Sequence, residues 1–177
     1  MNNLKPIQPS GDIQPKLLKD ITFKQFKEFL DSLDEEKKTW SLDLQNNKNR
    51  KEFYEVKKDL YMTIVCVDGE KVIGLCDYYE NLELPILLSE ISFVVKKGYQ
   101  GQGIGTKMLL TIETLMKDFD HKYVTAKHYK DNIASHKAFL KVGYEEWVVG
   151  KKYYFDSIWF DRKLVEGDDW EWKIKEL

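Results

Sequence analysis

The sequence predicts an α/β (α+β) fold in a single domain, and three observations carry that prediction. Apolar residues recur at helical spacing before residue 60, β-rich runs punctuated by turn residues follow it, and a glycine-rich stretch joins one of those runs to a further helical stripe. A length of 177 residues suits one domain, and a composition 42% apolar and 14% aromatic can build its own core. The 28 basic and 30 acidic residues leave a net charge of −2, so no phosphate-backbone grip, and hence no nucleic-acid partner, is expected. The longest apolar runs fall short of the roughly 18 residues a membrane span needs, and the amino terminus lacks the apolar stretch of a secretory signal. The expectation is a cytoplasmic protein without a membrane partner.

Taken in order, residues 1–15 hold three of the four prolines and read as an irregular lead-in with room for a short strand around Leu4–Ile7. Leu17, Leu18, Ile21, Phe23, Phe26, Phe29, Leu30 and Leu33 predict an amphipathic helix over Lys16–Leu33, and a more polar helical region follows to Leu60, broken near Asn46–Asn49. Tyr61–Val67 and Lys71–Tyr79 read as strands around an Asp68-Gly69 turn. That turn pairs Cys66 with Lys71 and Cys76 with Tyr61, which keeps the two cysteines apart as reduced thiols. Two cysteines at this spacing make no metal signature, and no metal is expected.

After a loop around Glu80–Pro85, the run Ile86–Val95 reads as a strand. Ile104, Met108, Leu109, Ile112, Leu115, Met116 and Phe119 make a helical stripe. A strand at Tyr123–Lys127 precedes a helix at Ile133–Val142 that Gly143 ends. Strands at Tyr144–Val149 and Tyr153–Leu164 close the pattern, leaving residues 166–177 as an acidic, aromatic tail. Through Trp170 and Trp172 this tail docks on its own domain or on a second subunit of a homodimer.

The chemistry rests on Val95-Lys96-Lys97-Gly98-Tyr99-Gln100-Gly101-Gln102-Gly103-Ile104-Gly105-Thr106-Lys107. Glycines let the backbone turn and approach a ligand, and the first amides of the following helix lack intrahelical acceptors, so an anion is the natural occupant. A Walker loop needs glycine before its lysine, where Thr106 stands. A dinucleotide fingerprint needs its last glycine at 106 or 108, where Thr106 and Met108 stand.

The remaining pattern, Gln100, Gly103 and Gly105 in Gln-x-x-Gly-x-Gly, resembles the acyl-CoA pyrophosphate loop of the GNAT superfamily of N-acetyltransferases. A second segment, with Asn132, Ser135, Lys141, Gly143 and Tyr144 in register, is similar to that family's Asn-x-x-Ala/Ser-x-x-x-Tyr-x-Lys-x-Gly-Phe/Tyr pattern, and Tyr153–Phe160 resembles its final strand. The resemblance spans about residues 60–165. It implies a mixed, mostly antiparallel central sheet of about six to seven strands flanked by helices, with a helical pair at the amino end.

The resemblance also implies direct transfer of an acetyl group from acetyl-CoA, as co-substrate, to an amine in a ternary complex. Phe93, Val94 and Val95 would line the acyl-CoA, a backbone amide near Val95 serving as oxyanion donor. Gln100, Gly101, Gln102, Gly103, Ile104, Gly105 and Thr106 would hold the pyrophosphate. Asn132, Ser135, Phe139 and Lys141, and less strongly Lys107, complete the implied cofactor set. Glu90 is the candidate base, with Glu83 and Asp77 as alternatives on neighbouring strands. The family's acid is a tyrosine, but Phe139 holds that position and has no proton to give. Ser135, Tyr129 and His136 are substitutes, and an acyl-CoA-binding module with little turnover is the competing reading. The acceptor amine would meet Thr22–Leu60, Gly150–Asp156 and the tail, where Trp40, Asp43, Tyr54, Glu55, Tyr153 and Tyr154 suit a cation.

Overall fold

The structure is a computed structural model that describes residues 11–33, 47–80, 88–148, 152–155, 158–161 and 170–177, the side chains at 47, 48, 80, 88, 152–155 and 158–161 excepted. The strand expected around Leu4–Ile7 lies outside these residues, as do Trp40, Asp43 and Glu83. The chain forms two compact units, one of Met1–Asp77 with Phe93–Leu115 and one of Tyr78–Ser92 with Met116–Leu177.

In the first unit, strand β1 (Gln14–Leu17) pairs antiparallel with β2 (Thr63–Asp68), from Gln14↔Val67 to Leu17↔Ile64. A 3-10 turn (Leu18–Asp20) leads to helix α1 (Phe23–Asp31). The single helix expected over Lys16–Leu33 is thus replaced by strand, turn and a shorter helix. Thr22 sets the start with a capping box, its hydroxyl accepting the Gln25 amide while the Gln25 side chain accepts the Thr22 amide. Leu18 and Ile21 are buried all the same, so helical spacing arose there without an α-helix.

Helix α2 (Asn47–Lys57) packs on α1 through Phe26 stacked on Phe53, and Tyr54 donates to the Ile21 carbonyl at 2.5 Å. Buried Arg50 is ion-paired to Asp31 at the end of α1. Phe26, Phe29, Leu30, Val65, Val67, Val72, Leu75 and Val94 complete this unit's core.

Strand β3 (Lys71–Glu80) pairs antiparallel with β2 with the turn moved on by one residue, so that Asp68 opposes Lys71 and the register runs two residues from the expected one; a bulge between Cys66 and Val67 makes that three, setting Cys66 against Gly74 and Cys76 against Ile64. Buried Asp68 accepts the Tyr99 hydroxyl at 3.0 Å, which keeps it in the strand and leaves Gly69 and Glu70 to turn. Both cysteines are free and buried, as expected.

Strand β4 (Leu88–Val95) feeds helix α3 (Ile104–Asp118), and its first half lies in the second unit. There it runs parallel to β5 (Tyr123–Tyr129), from Leu88↔Tyr123 to Ile91↔Ala126. Helix α4 (Ile133–Lys141) follows, then a two-residue strand β6 (Glu145–Glu146), which replaces the longer strand expected at Tyr144–Val149. Tyr153–Leu164 is not one strand: β7 (Lys152–Phe155) and β8 (Ile158–Asp161) form their own antiparallel pair.

The tail supplies the strand that was expected there. Strand β9 (Trp170–Glu176) pairs antiparallel with β5 over its whole length, from Tyr123↔Glu176 to Tyr129↔Trp170, and with β6 on its other edge. Trp170, Trp172 and Ile174 alternate with Glu171, Lys173 and Lys175, a period-two pattern that the surrounding charge obscures. Among the described residues, the hydrogen-bonded order of the mostly antiparallel sheet is β1-β2-β3-β4-β5-β9-β6, seven strands. No described helix is long and apolar enough to cross a membrane.

Candidate active site

In the first unit, β4 ends at Val95 and α3 begins at Ile104, and Gly98, Gly101 and Gly103 between them adopt φ of 89°, 76° and 79°. L-side chains rarely take that conformation, so these glycines are required by backbone geometry. An added Cβ at Gly101 or Gly103 would meet nothing within 4 Å, whereas one at Gly105 would stand 2.8 Å from the Phe93 ring. Gly105 is therefore a packing residue, while Gly101 and Gly103 leave open space beside the backbone.

The loop is braced from below. Buried Tyr99 bonds Asp68, Gln100 Nε2 donates to the Val95 carbonyl at 3.1 Å, and Gln102 Nε2 donates to the Gly98 carbonyl at 3.2 Å. Burial, then the Asp68 carboxylate, push the Tyr99 hydroxyl above its ordinary pKa, which keeps it a donor. Helix α3 takes its first rung from the Lys107 amide to the Gly103 carbonyl at 2.9 Å, so the amides of Ile104, Gly105 and Thr106 precede the helical ladder. A cavity of about 510 Å3 opens at this end, lined by Gln102, Gly103, Ile104, Lys107 and the stretch Gly11–Gln14. The Lys107 ammonium donates to the Ile13 carbonyl, which ties it to the lead-in. The donor set, backbone amides at a helix start beside open space, fits a pyrophosphate.

In the second unit, Glu90 is only 2% exposed and sits opposite Thr125 in the parallel ladder. The solvated strand-end carboxylate that a strand opening suggests is not what forms. Its Oε1 lies 3.4 Å from Lys127 Nζ, and that ammonium also lies over the Trp170 and Trp172 rings, 5.8 and 5.3 Å from their centroids. Tyr129 stacks on Trp170 with centroids 3.8 Å apart. Glu90 and Tyr129 thus share one cluster through Lys127 and Trp170. Sequence reasoning missed Lys127, Trp170 and Trp172 as its members; only the Trp-x-Trp alternation could have placed the two indoles on one strand face.

Asn132 caps α4, its Oδ1 accepting the Ser135 amide at 3.1 Å. Ser135 is half-buried on the first turn, and Lys141 is exposed at the last. Phe139 is buried, stacked near-parallel on His128 at 6.1 Å and edge-on to Tyr144 at 5.0 Å. Burial pulls His128 below the ordinary histidine pKa. His136 faces Glu171, its Nδ1 3.1 Å from Oε2. Of the alternative bases, Asp77 is buried between Thr63 at 2.6 Å and Lys57 at 3.2 Å, and desolvation raises its pKa against their opposing pull. Both of its oxygens are thus engaged, Oδ1 by the Thr63 hydroxyl and Oδ2 by the Lys57 ammonium. Tyr54 is likewise committed to the α1–α2 core, and Glu55 to Lys58 on the α2 surface.

Comparison with known proteins gives the same direction. The family model described as the acetyltransferase (GNAT) family matches residues 23–144 of the chain. Among solved structures, an N-acetyltransferase from Staphylococcus aureus superposes with a TM-score of 0.71 at 15% identity, covering 94% of this chain and 99% of that one. The ribosomal-protein-S5-alanine acetyltransferase of Vibrio fischeri gives 0.68 at 17% identity, with 94% and 93% covered. The yncA protein of Salmonella typhimurium, solved with its cofactor acetyl-CoA, gives 0.67 at 16% identity, with 94% of each chain covered. At such identities the structures show a shared fold. No curated protein sequence matches the chain.

Proposed function

Because the chain belongs to the GNAT acetyltransferase family, we propose that it transfers an acetyl group from acetyl-CoA to a primary amine of a small molecule or peptide, directly and in a ternary complex. The observation that carries this reading is the loop Gln100–Thr106, whose positive-φ glycines and helix-start amides make a braced anion cradle. In it the pyrophosphate would meet the amides of Gln102–Thr106, Gly103 leaving room for close approach. Phe93–Val95 would run alongside the thioester end and supply a backbone donor to the carbonyl oxygen. In the second unit, Asn132 at the α4 cap and Lys141 keep the cofactor role that the family resemblance implies for them.

Glu90 takes the role of proton acceptor for the attacking amine. An amine with an ordinary pKa of about 10 must lose a proton before it attacks, and a buried carboxylate is suited to receive it. The surroundings of Glu90 already hold one ammonium, that of Lys127, between a carboxylate and two indole faces, chemistry that also favours a cationic acceptor. The Vibrio relative is named for a protein alanine amine, which makes a peptide amino terminus one acceptor class to test.

Phe139 supports a second reading, an acyl-CoA-binding module with little turnover, because the position of the expected acid is buried among rings. A thiolate of ordinary acidity can leave without an enzyme acid, so we favour transfer. Tyr129 and Ser135 are the candidate donors if one is used. The test is mass-spectrometric detection of acetylated product across amino-terminal peptides, polyamines and aminoglycosides with acetyl-CoA. Product from one acceptor class establishes transfer, whereas stoichiometric CoA binding with no product from any class establishes the binding module.

A further inference from the structure

Beside Phe139 lies a cluster to which the acetyl-transfer reading gives no role beyond that of His136 as a substitute acid. His128 on β5 is 3% exposed, and its Nδ1 stands 2.9 Å from the Tyr129 carbonyl. A carbonyl only accepts, so Nδ1 carries the proton and Nε2 is left as a lone pair in the neutral ring. That atom is buried, has no hydrogen-bond partner, and points at Glu171 Oε2 on β9, 3.6 Å away. His136 on α4 brings its Nδ1 to the same oxygen at 3.1 Å. Two acceptors facing one another, the imidazole nitrogen among them buried, call for a positive charge between them.

The buried Lys173 ammonium supplies part of that charge, at 3.4 Å from Glu171 Oε2, and it also holds Glu146 Oε1 of β6 at 3.5 Å. It leaves the His128 nitrogen unpartnered. With a divalent ion present, Lys173 retains Glu146, so the site does not force a buried ammonium to stand alone.

We propose that His128, His136 and Glu171 form a binding site for a divalent transition-metal ion of the zinc class, a two-histidine, one-carboxylate set with a further position open. The ligand atoms lie within 4.8 Å of one another. A tetrahedral ion at about 2.0–2.1 Å from each ligand sets them about 3.3–3.4 Å apart. The separations of 3.1 and 3.6 Å bracket that value, and the half-buried His136 side chain can rotate to close the third. The hydrogen bond from His128 Nδ1 to a main-chain carbonyl is the outer contact that orients a metal-binding imidazole. Histidine and carboxylate together select zinc, cobalt or nickel over calcium or magnesium. The sequence shows no metal signature because the three ligands come from β5, α4 and β9.

The test uses the untagged full chain stripped with chelator, titrated with Zn2+ by calorimetry and with Co2+ by visible absorption. One equivalent bound with micromolar or tighter affinity is expected, weakened at least about ten-fold in His136→Ala and in Glu171→Gln. His136→Cys guards against misfolding of those variants: it should bind Co2+ and add a thiolate-to-cobalt charge-transfer band. Absence of a stoichiometric site in the parent chain, equal affinity in both variants, or a folded His136→Cys without the band would overturn the proposal. None of these readouts depends on acetyl transfer.

Discussion

Glu90 is an acid inside a sheet, paired with a lysine that also contacts two indoles, and its isosteric replacement separates chemistry from packing. Glu90→Gln keeps the shape of the side chain and leaves Lys127 its aromatic faces. The expected result is a fall in kcat of about 10²–10⁴ with the KM for acetyl-CoA near that of the parent, read from initial rates of thiol release. The cysteines give a second prediction at this scale. Burial pushes the Cys66 thiol up to about 11 and Cys76 well above its ordinary value. At pH 8 neither should react with a chromogenic disulfide in the native protein, and both should react once urea unfolds it. What was legible here was local: Gln100, Gly101 and Gly103 fall within four consecutive residues, and the structure gives those glycines positive φ. The surroundings of Glu90 were not legible, because Lys127 reaches Glu90, and Trp170 and Trp172 reach Lys127, only through strand pairing.

Among the elements, α1 and β9 are where sequence pattern and structure part company. Helical spacing from Leu17 onward hid the strand and 3-10 turn ahead of α1, since Leu18 and Ile21 are buried in either conformation. The Thr22–Gln25 capping box was the overlooked start signal, and Thr22→Ala should cost about 1 kcal/mol in urea unfolding. The hydrogen bond from Lys27, and then that from Arg50, hold the Asp31 carboxyl below its ordinary 3.8. A lowered carboxyl stabilises the fold above its unfolded value and loses that contribution as pH falls through its folded one. Urea midpoints of the parent should therefore exceed those of Asp31→Asn by a constant margin above pH 3.8, and the two should converge below it. The margin is small because the Asp31 side chain is 44% exposed. Strand β9 was masked by its charges. Deleting residues 170–177 removes the strand between β5 and β6, and the second unit should then lose its cooperative thermal transition.

Across the whole molecule, the order of elements was readable: helices, a hairpin, the glycine loop into α3, then β5 and α4. The fold class followed from it. The last third was read two elements short, one strand standing for both β7 and β8 and none for β9, because the resemblance supplied a final strand at Tyr153–Phe160 and no reason to seek another in a charged tail. The structure gives those earlier residues their own two-stranded pair and hands their expected place to β9. The proposed transfer depends on the loop Gln100–Thr106 as the holder of acetyl-CoA. The most direct measurement compares steady-state acetyl-CoA turnover of the parent chain with Gly103→Glu, at one saturating acceptor. Glutamate at a φ of 79° strains the turn and sets a carboxylate where the pyrophosphate would lie. The predicted result is loss of turnover with acetyl-CoA affinity weakened at least about ten-fold, more than 1.4 kcal/mol, in a protein that still unfolds cooperatively, its thermal midpoint lowered by the few degrees that the strained turn costs. Parent-like turnover and parent-like affinity in that variant would contradict the claim.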